Sequence, residues 1–296
     1  MSKVIYALVL AILSSLSCCA QEFLGMAVYE TKTSVAELSN SITVDNNNIT
    51  PEVKKRIEER MKKMFEKTFV MYFDKAQSIY EEEEKLDAPV GDQQRAGMRM
   101  MSSFTGGGGK HYKNLKTKNF RIEKELMGKE FLVSDSLPKY EWKMTGETKQ
   151  IGQYLCMKAT AIAPASKSDF RNFKPKSPEE QEKTKEAPRT TNFFNRGEMP
   201  ENLEITAWYT PEIPVGHGPE NYHGLPGLIL EASAGRTVIL CSKIVLNPKE
   251  RKEIKIPTKG EVVTQARFDE IMLKKVEEMQ QMFQQRGNSN GVRIQR

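Results

Sequence analysis

Short segments that alternate apolar and polar residues, separated by tight turns, run along most of this chain and restrict it to a sheet of neighbouring strands. TFVMYF (68–73) and SIYEEE (78–83) flank Asp74-Lys75-Ala76-Gln77 and read as a hairpin. NFRIEKE (119–125) and KEFLVS (129–134) flank Met127-Gly128, a second hairpin with glycine at its turn. YEWKM, QYLCMKATAIA, LEITAWYT, LILEAS and TVILCSKIVL follow, and MAVYET lies near the start. That makes about ten strands joined mainly as sequence neighbours, the mark of an antiparallel sheet.

Two segments carry helical spacing instead. Thr50 before Pro51 and Glu52 supplies an N-cap, a first-turn proline and an acidic residue at the positive end of the dipole. Val53, Ile57, Met61, Met64 and Phe65 then form one apolar stripe. A second helix starts near Thr264 and carries Phe268, Met272, Val276, Met279 and Phe283 on one side. The expected fold class is therefore α+β: a curved, mainly antiparallel, open-barrel-like sheet with two covering helices.

The ends bear on compartment. Lys3, the apolar stretch Val4–Leu13 and the small residues up to Ala20 have the layout of a secretory signal peptide cut before Gln21. A lipoprotein signal with Cys19 as the anchored residue is the competing reading. Ten apolar residues fall short of the roughly 20 that span a bilayer, so no transmembrane segment is expected in the mature chain. Residues 21–286 read as a single domain with mobile loops at 84–111 and 164–200, and 287–296 as a disordered tail. Removing Lys3 with the signal lowers the formal charge from +6 to +5. Acidic and basic residues interleave throughout, which argues against a nucleic-acid partner.

Of four cysteines, Cys18 and Cys19 leave with the signal, and Cys156 and Cys241 remain. In an exported chain they are expected to pair as a disulfide; two buried thiols are the alternative. Gly106–Gly109 followed by Lys110 is not a phosphate loop, because Phe104 and His111 stand where that motif needs glycine and Ser or Thr. No Gly-x-Ser-x-Gly elbow is present, and no catalytic residue or cofactor is expected. His217, Glu220 and His223, within PVGHGPENYHG, have the residue types of a transition-metal site, though at no standard zinc spacing. Turn structure explains the same segment.

Gly224 and Gly227 bracket Leu225-Pro226 just before the apolar run Leu228-Ile229-Leu230. Pro226 sets φ, and Gly227 would take the positive φ of a type II turn, fixing the register of the strand that follows. AWYTPEIPVGHGPENYHGLPGLILE (207–231) closely resembles the signature of the GLPGLI family, exported proteins of Bacteroidetes-type bacteria. YEWKMTGETKQIGQYLCMKATA (140–161) and IKIPTKGEVVTQARFDEI extend the likeness, with Gln153 as a departure between Gly152 and Tyr154.

The resemblance implies secretion and a family without an established reaction. By matching position it carries over Trp208, Pro211, Pro214, Gly218, Pro219, Tyr222, Gly224, Leu225, Pro226 and Gly227 as a signature loop that binds or only shapes the fold. The resulting expectation is a non-enzymatic envelope protein that binds an apolar small molecule or an envelope or outer-membrane protein. The alternative is a metal-dependent binding protein or hydrolase using His217, Glu220 and His223.

Overall fold

A computed structural model describes residues 23–34, 50–83, 109–172, 174–175, 197–250 and 252–290. The expected signal segment, most of the two expected loops (84–108 and 176–196) and the last six residues of the expected tail lie outside the described residues. The strands are β1 (Gly25–Thr33), β2 (Lys67–Phe73), β3 (Gln77–Glu82), β4 (Lys110–Asn114), β5 (Asn119–Leu126), β6 (Lys129–Ser136) and β7 (Lys143–Ile151). They continue with β8 (Tyr154–Pro164), β9 (Lys174–Pro175), β10 (Gly197–Glu198), β11 (Asn202–Thr210), β12 (Leu228–Ala234), β13 (Thr237–Leu246) and β14 (Glu261–Val263). Helices α1 (Pro51–Phe65) and α2 (Gln265–Asn290) and a 3-10 turn (Phe170–Asn172) are the other elements among the described residues.

Twelve strands form one open sheet in the order β14-β6-β5-β4-β3-β2-β1-β13-β12-β11-β8-β7, and β9 pairs with β10 separately. The sheet is mixed: β14 runs parallel to β6, while the other ladders are antiparallel. Period-two burial explains the strands directly. In β1 Ala27, Tyr29, Thr31 and Thr33 are buried in alternation, and in β2 Phe69, Met71 and Phe73 are. Local chemistry turns the chain between them. The Asp74 carboxylate accepts from the backbone N–H groups of Ala76 and Gln77 at 2.6 and 2.7 Å, closing β2 onto β3. Met127 and Gly128 both adopt positive φ (51° and 81°) between β5 and β6, which suits a right-twisted hairpin.

The expected α+β architecture with two covering helices is not what forms. The protein is nearly all β. Twelve strands span roughly 55 Å at about 4.8 Å each, whereas a helix is only about 10 Å across. Helix α2 accordingly covers one end: Phe268, Met272 and Val276 bury against Phe120, Ile122, Phe131 and Val133 of β5 and β6. Helix α1 covers still less, since Phe65 is buried but Val53 is 41% exposed. Among the described residues no helix is long and apolar enough to cross a membrane.

The largest core is closed by the chain's own connection. Tyr29, Met71, Phe73 and Tyr80 pack with Ile213 and Val215 from the segment between β11 and β12, and with Leu228 and Leu230 of β12.

Candidate functional site

Connections normally run over the surface, because buried backbone must find hydrogen-bond partners. The connection 211–227 between β11 and β12 does the opposite. Ile213, Val215, His217, Gly218, Pro219, Leu225 and Gly227 are buried, while Pro211, Pro214, Gly224 and Pro226 face outward. Its backbone is satisfied in three ways. Within the segment, Gly224 N–H donates to the Gly216 carbonyl at 3.0 Å. The entry to β12 docks on it: Leu228 N–H donates to Ile213 at 2.9 Å and Ile229 N–H to His217 at 2.9 Å.

The third way is a side chain. Lys113 of β4 is 2% exposed, and its ammonium donates to the carbonyls of Gly218, Glu220 and Tyr222, the last two at 2.9 Å. Burial pushes its pKa down to about 7, and the Glu220 carboxylate pulls the other way. All three donated bonds together require the charged form.

Glu220 is the second anchor. It holds φ at 46°, an uncommon region for a residue with a Cβ. Its carboxylate accepts from Arg171 at 2.6 and 3.2 Å, and the same guanidinium donates to Asp169 at 2.8 Å through both Nε and Nη2. Arg171 sits in a single 3-10 turn, Phe170–Asn172. The adjoining Ser168 hydroxyl donates to Asp269 of α2 at 2.6 Å, so this strap bridges helix and loop. Burial raises the Asp169 carboxyl, but Arg171 outweighs it and the net shift is downward.

Aromatic residues clamp the far end of the loop. Trp142 Nε1 donates to the His223 carbonyl at 2.9 Å, and His223 Nε2 lies 3.0 Å from the Pro138 carbonyl. The Tyr140 ring sits 5.5 Å from His223 and 6.0 Å from Tyr222.

The glycines of the turn have different roles from those expected. Gly224, not Gly227, takes the positive φ, at 91°. Gly227 is required by a close approach: a Cβ there would lie 2.1 Å from the Thr210 carbonyl oxygen. Gly227→Ala is expected to cost about 1–3 kcal/mol in chemical denaturation, since backbone must move to admit the methyl group. An unchanged midpoint would show that this contact relaxes freely.

The loop backbone brings His217 and His223 opposite each other as bridge partners, but the three candidate ligands do not converge on one point. His217 is fully buried beside the Phe73 ring, at 6.2 Å, and burial pushes its pKa well down. His223 is pushed down to about 4 by burial, with its ring against Pro138. Glu220 is engaged by Arg171. Among the described residues no group of three or more His, Cys, Asp or Glu side chains is placed to hold a metal ion.

Cys156 and Cys241 do not form the expected disulfide; both are buried free thiols. They sit on β8 and β13 with β11 and β12 between them. The two strands are not neighbours in the sheet, although both thiols line one core and Cys156 adds to the upward shift of Cys241. Burial raises the two thiols to about 11 and about 12, which makes them poor nucleophiles.

Trp208 stands outside the buried loop. On β11 it is half-buried, with Lys149 Nζ 4.3 Å from its ring centroid and Lys158 Nζ at 5.9 Å. Lys149 pairs with Glu231 at 2.7 Å and Lys158 with Glu147 at 2.9 Å.

Sequence reasoning missed Lys113, Asp169 and Arg171. The last two fall inside the stretch read as a loop. Lys113 lies in a five-residue strand, KHYKN, which carries no apolar alternation.

The best-formed clefts among the described residues are small. One of about 40 Å³ is lined by Asp169, Arg171, Asn172, Glu220, Tyr222 and Thr237, and another of about 10 Å³ lies beside Phe73. These volumes suit ordered water.

Residues 142–231, which contain the whole 207–231 signature, match the model of a family described as a protein of unknown function (Porph_ging). No curated protein matches the chain. Two solved structures of PNGF-II, in P21 and C2 space groups, are similar over 86% of this chain and 33% of theirs, at 13% and 14% identity and a TM-score of 0.44. The chain thus spans about a third of the length of those proteins. The segment that builds the buried loop is therefore similar to a family whose function is open.

Proposed function

We propose that this is an exported, non-enzymatic protein of the cell envelope that acts by binding another envelope protein, not by enclosing an apolar ligand. The filled interior carries the reading. The chain's own 211–227 connection occupies the space beside Phe73 and Tyr29 where an apolar guest would sit. Among the described residues the two best-formed clefts, of about 40 and 10 Å³, are smaller than the roughly 300 Å³ that a drug-sized molecule needs.

A surface suited to a partner lies at the β7–β8 end. Met144, Leu155 and Met157 are 54%, 53% and 39% exposed, and both methionine sulfurs lie 3.6 Å from the Tyr209 hydroxyl. Unbranched, polarisable methionines adapt to an apolar partner surface.

Native mass measurement of the chain purified from its own envelope tests this. A complex with a second protein is expected, and Leu155→Lys with Met157→Lys should abolish it without unfolding the chain. A small molecule retained in the native state and released on denaturation would overturn the reading.

A further inference from the structure

Both histidines of the 211–227 loop sit where only a neutral ring fits. His217 is fully buried, and among the described residues no hydrogen bond closes on either of its ring nitrogens. The Phe73 ring packs against it from β2, and the Asp74 backbone faces it without closing a hydrogen bond. His223 stands opposite as its bridge partner, half-buried between the Pro138 carbonyl and the Tyr140 ring. The charge that reaches both rings is the Lys113 ammonium on β4. The loop's two carboxylates are engaged elsewhere, Glu212 by the Leu155 N–H at 2.9 Å and Glu220 by Arg171. A proton on either ring would therefore be a buried cation beside a second cation, without an anion to offset it.

Burial and then Lys113 hold the His217 pKa well below its ordinary 6.5 and bring His223 down to about 4. In a loop swung out into water both would return to about 6.5. The docked loop is thus fully favoured above about pH 6.5, and it loses stability relative to the open one as pH drops toward the folded values.

We propose that the loop is a proton-operated latch: mild acid charges His217 and His223, frees residues 211–227 from the sheet and uncovers the apolar core around Tyr29 and Phe73. The latch does not depend on the partner surface at β7–β8.

Hydrogen exchange of the Gly224 and Ile229 amides, which donate to Gly216 and His217 when the loop is docked, tests it in the full chain with a chelator present. From pH 7 to pH 5 each histidine should favour opening about 20-fold, and the pair about 400-fold, read as lost protection after correction for intrinsic exchange. Lys113 is freed in the same opening but adds only about twofold over this window. His217→Leu with His223→Gln should keep no more than that twofold drop. His223→Gln alone, at a half-buried position where glutamine can still donate to the Pro138 carbonyl, should keep about 20-fold. Protection unchanged by pH, a full drop retained in the double variant, or an equal drop at the β1 amides, which marks global unfolding, would each overturn the proposal.

Discussion

Lys113→Met is expected to destabilise the protein by about 3 kcal/mol, lowering the thermal midpoint by roughly 6–12 °C. Methionine keeps the length of the side chain, so little cavity forms. What disappears is the donor shared by Gly218, Glu220 and Tyr222. A buried carbonyl without a partner costs about 1–3 kcal/mol, and three are left at once. Relief from burying a charge offsets part of this, the same cost that pushes Lys113 down to about 7. Calorimetry of the two proteins decides. A midpoint within a degree of wild type would mean that apolar packing alone holds the loop.

Arg171→Leu is expected to cost about 3–5 kcal/mol, because it strands two carboxylates that the guanidinium neutralises. The Asp169 and Glu220 side chains are only 21% and 14% exposed, so water compensates poorly. The pH dependence gives a separate signature. Asp169 has a folded pKa below its ordinary 3.8. Its contribution is therefore fully present above about pH 4 and lost as pH falls through the folded value. Denaturant titrations should show wild type losing stability in that acid window and the variant losing less. A constant gap between them down to low pH would remove Asp169 from the account. Combining Arg171→Leu with Glu220→Gln should cost less than the sum of the two, since they share one ion pair.

The two anchors explain why Glu220 can stay at φ 46°. Its carbonyl is held by Lys113 and its carboxylate by Arg171, so the backbone is over-determined at that residue.

Local readings were accurate where local chemistry decides. The hairpin at Met127-Gly128, the Asp74 turn and the capped start of α1 at Thr50 follow from turn and cap residues alone. β4 and β14 were not legible, being three to five residues long and without alternation. The strand read at Tyr140–Met144 begins only at Lys143, because Tyr140 and Trp142 turn aside to pack on the loop. The covering role given to α1 failed for a related reason. An amphipathic pattern says that a helix has an apolar side, but not how little of a twelve-stranded sheet one helix can cover.

By itself the sequence determined the elements that depend on neighbours along the chain. Period-two burial in β1 and β2 and the Asp74 and Met127-Gly128 turns follow from steric and hydrogen-bond preferences within a few residues. Only the tertiary structure decided that residues 211–227 fill the core, that Lys113 holds them from 105 to 109 positions away, and that Cys156 and Cys241 stay free thiols. Those outcomes rest on contacts between strands that are remote in sequence and adjacent in the sheet. Burial then gives a lone lysine and an Arg–carboxylate cluster an importance that no local pattern encodes.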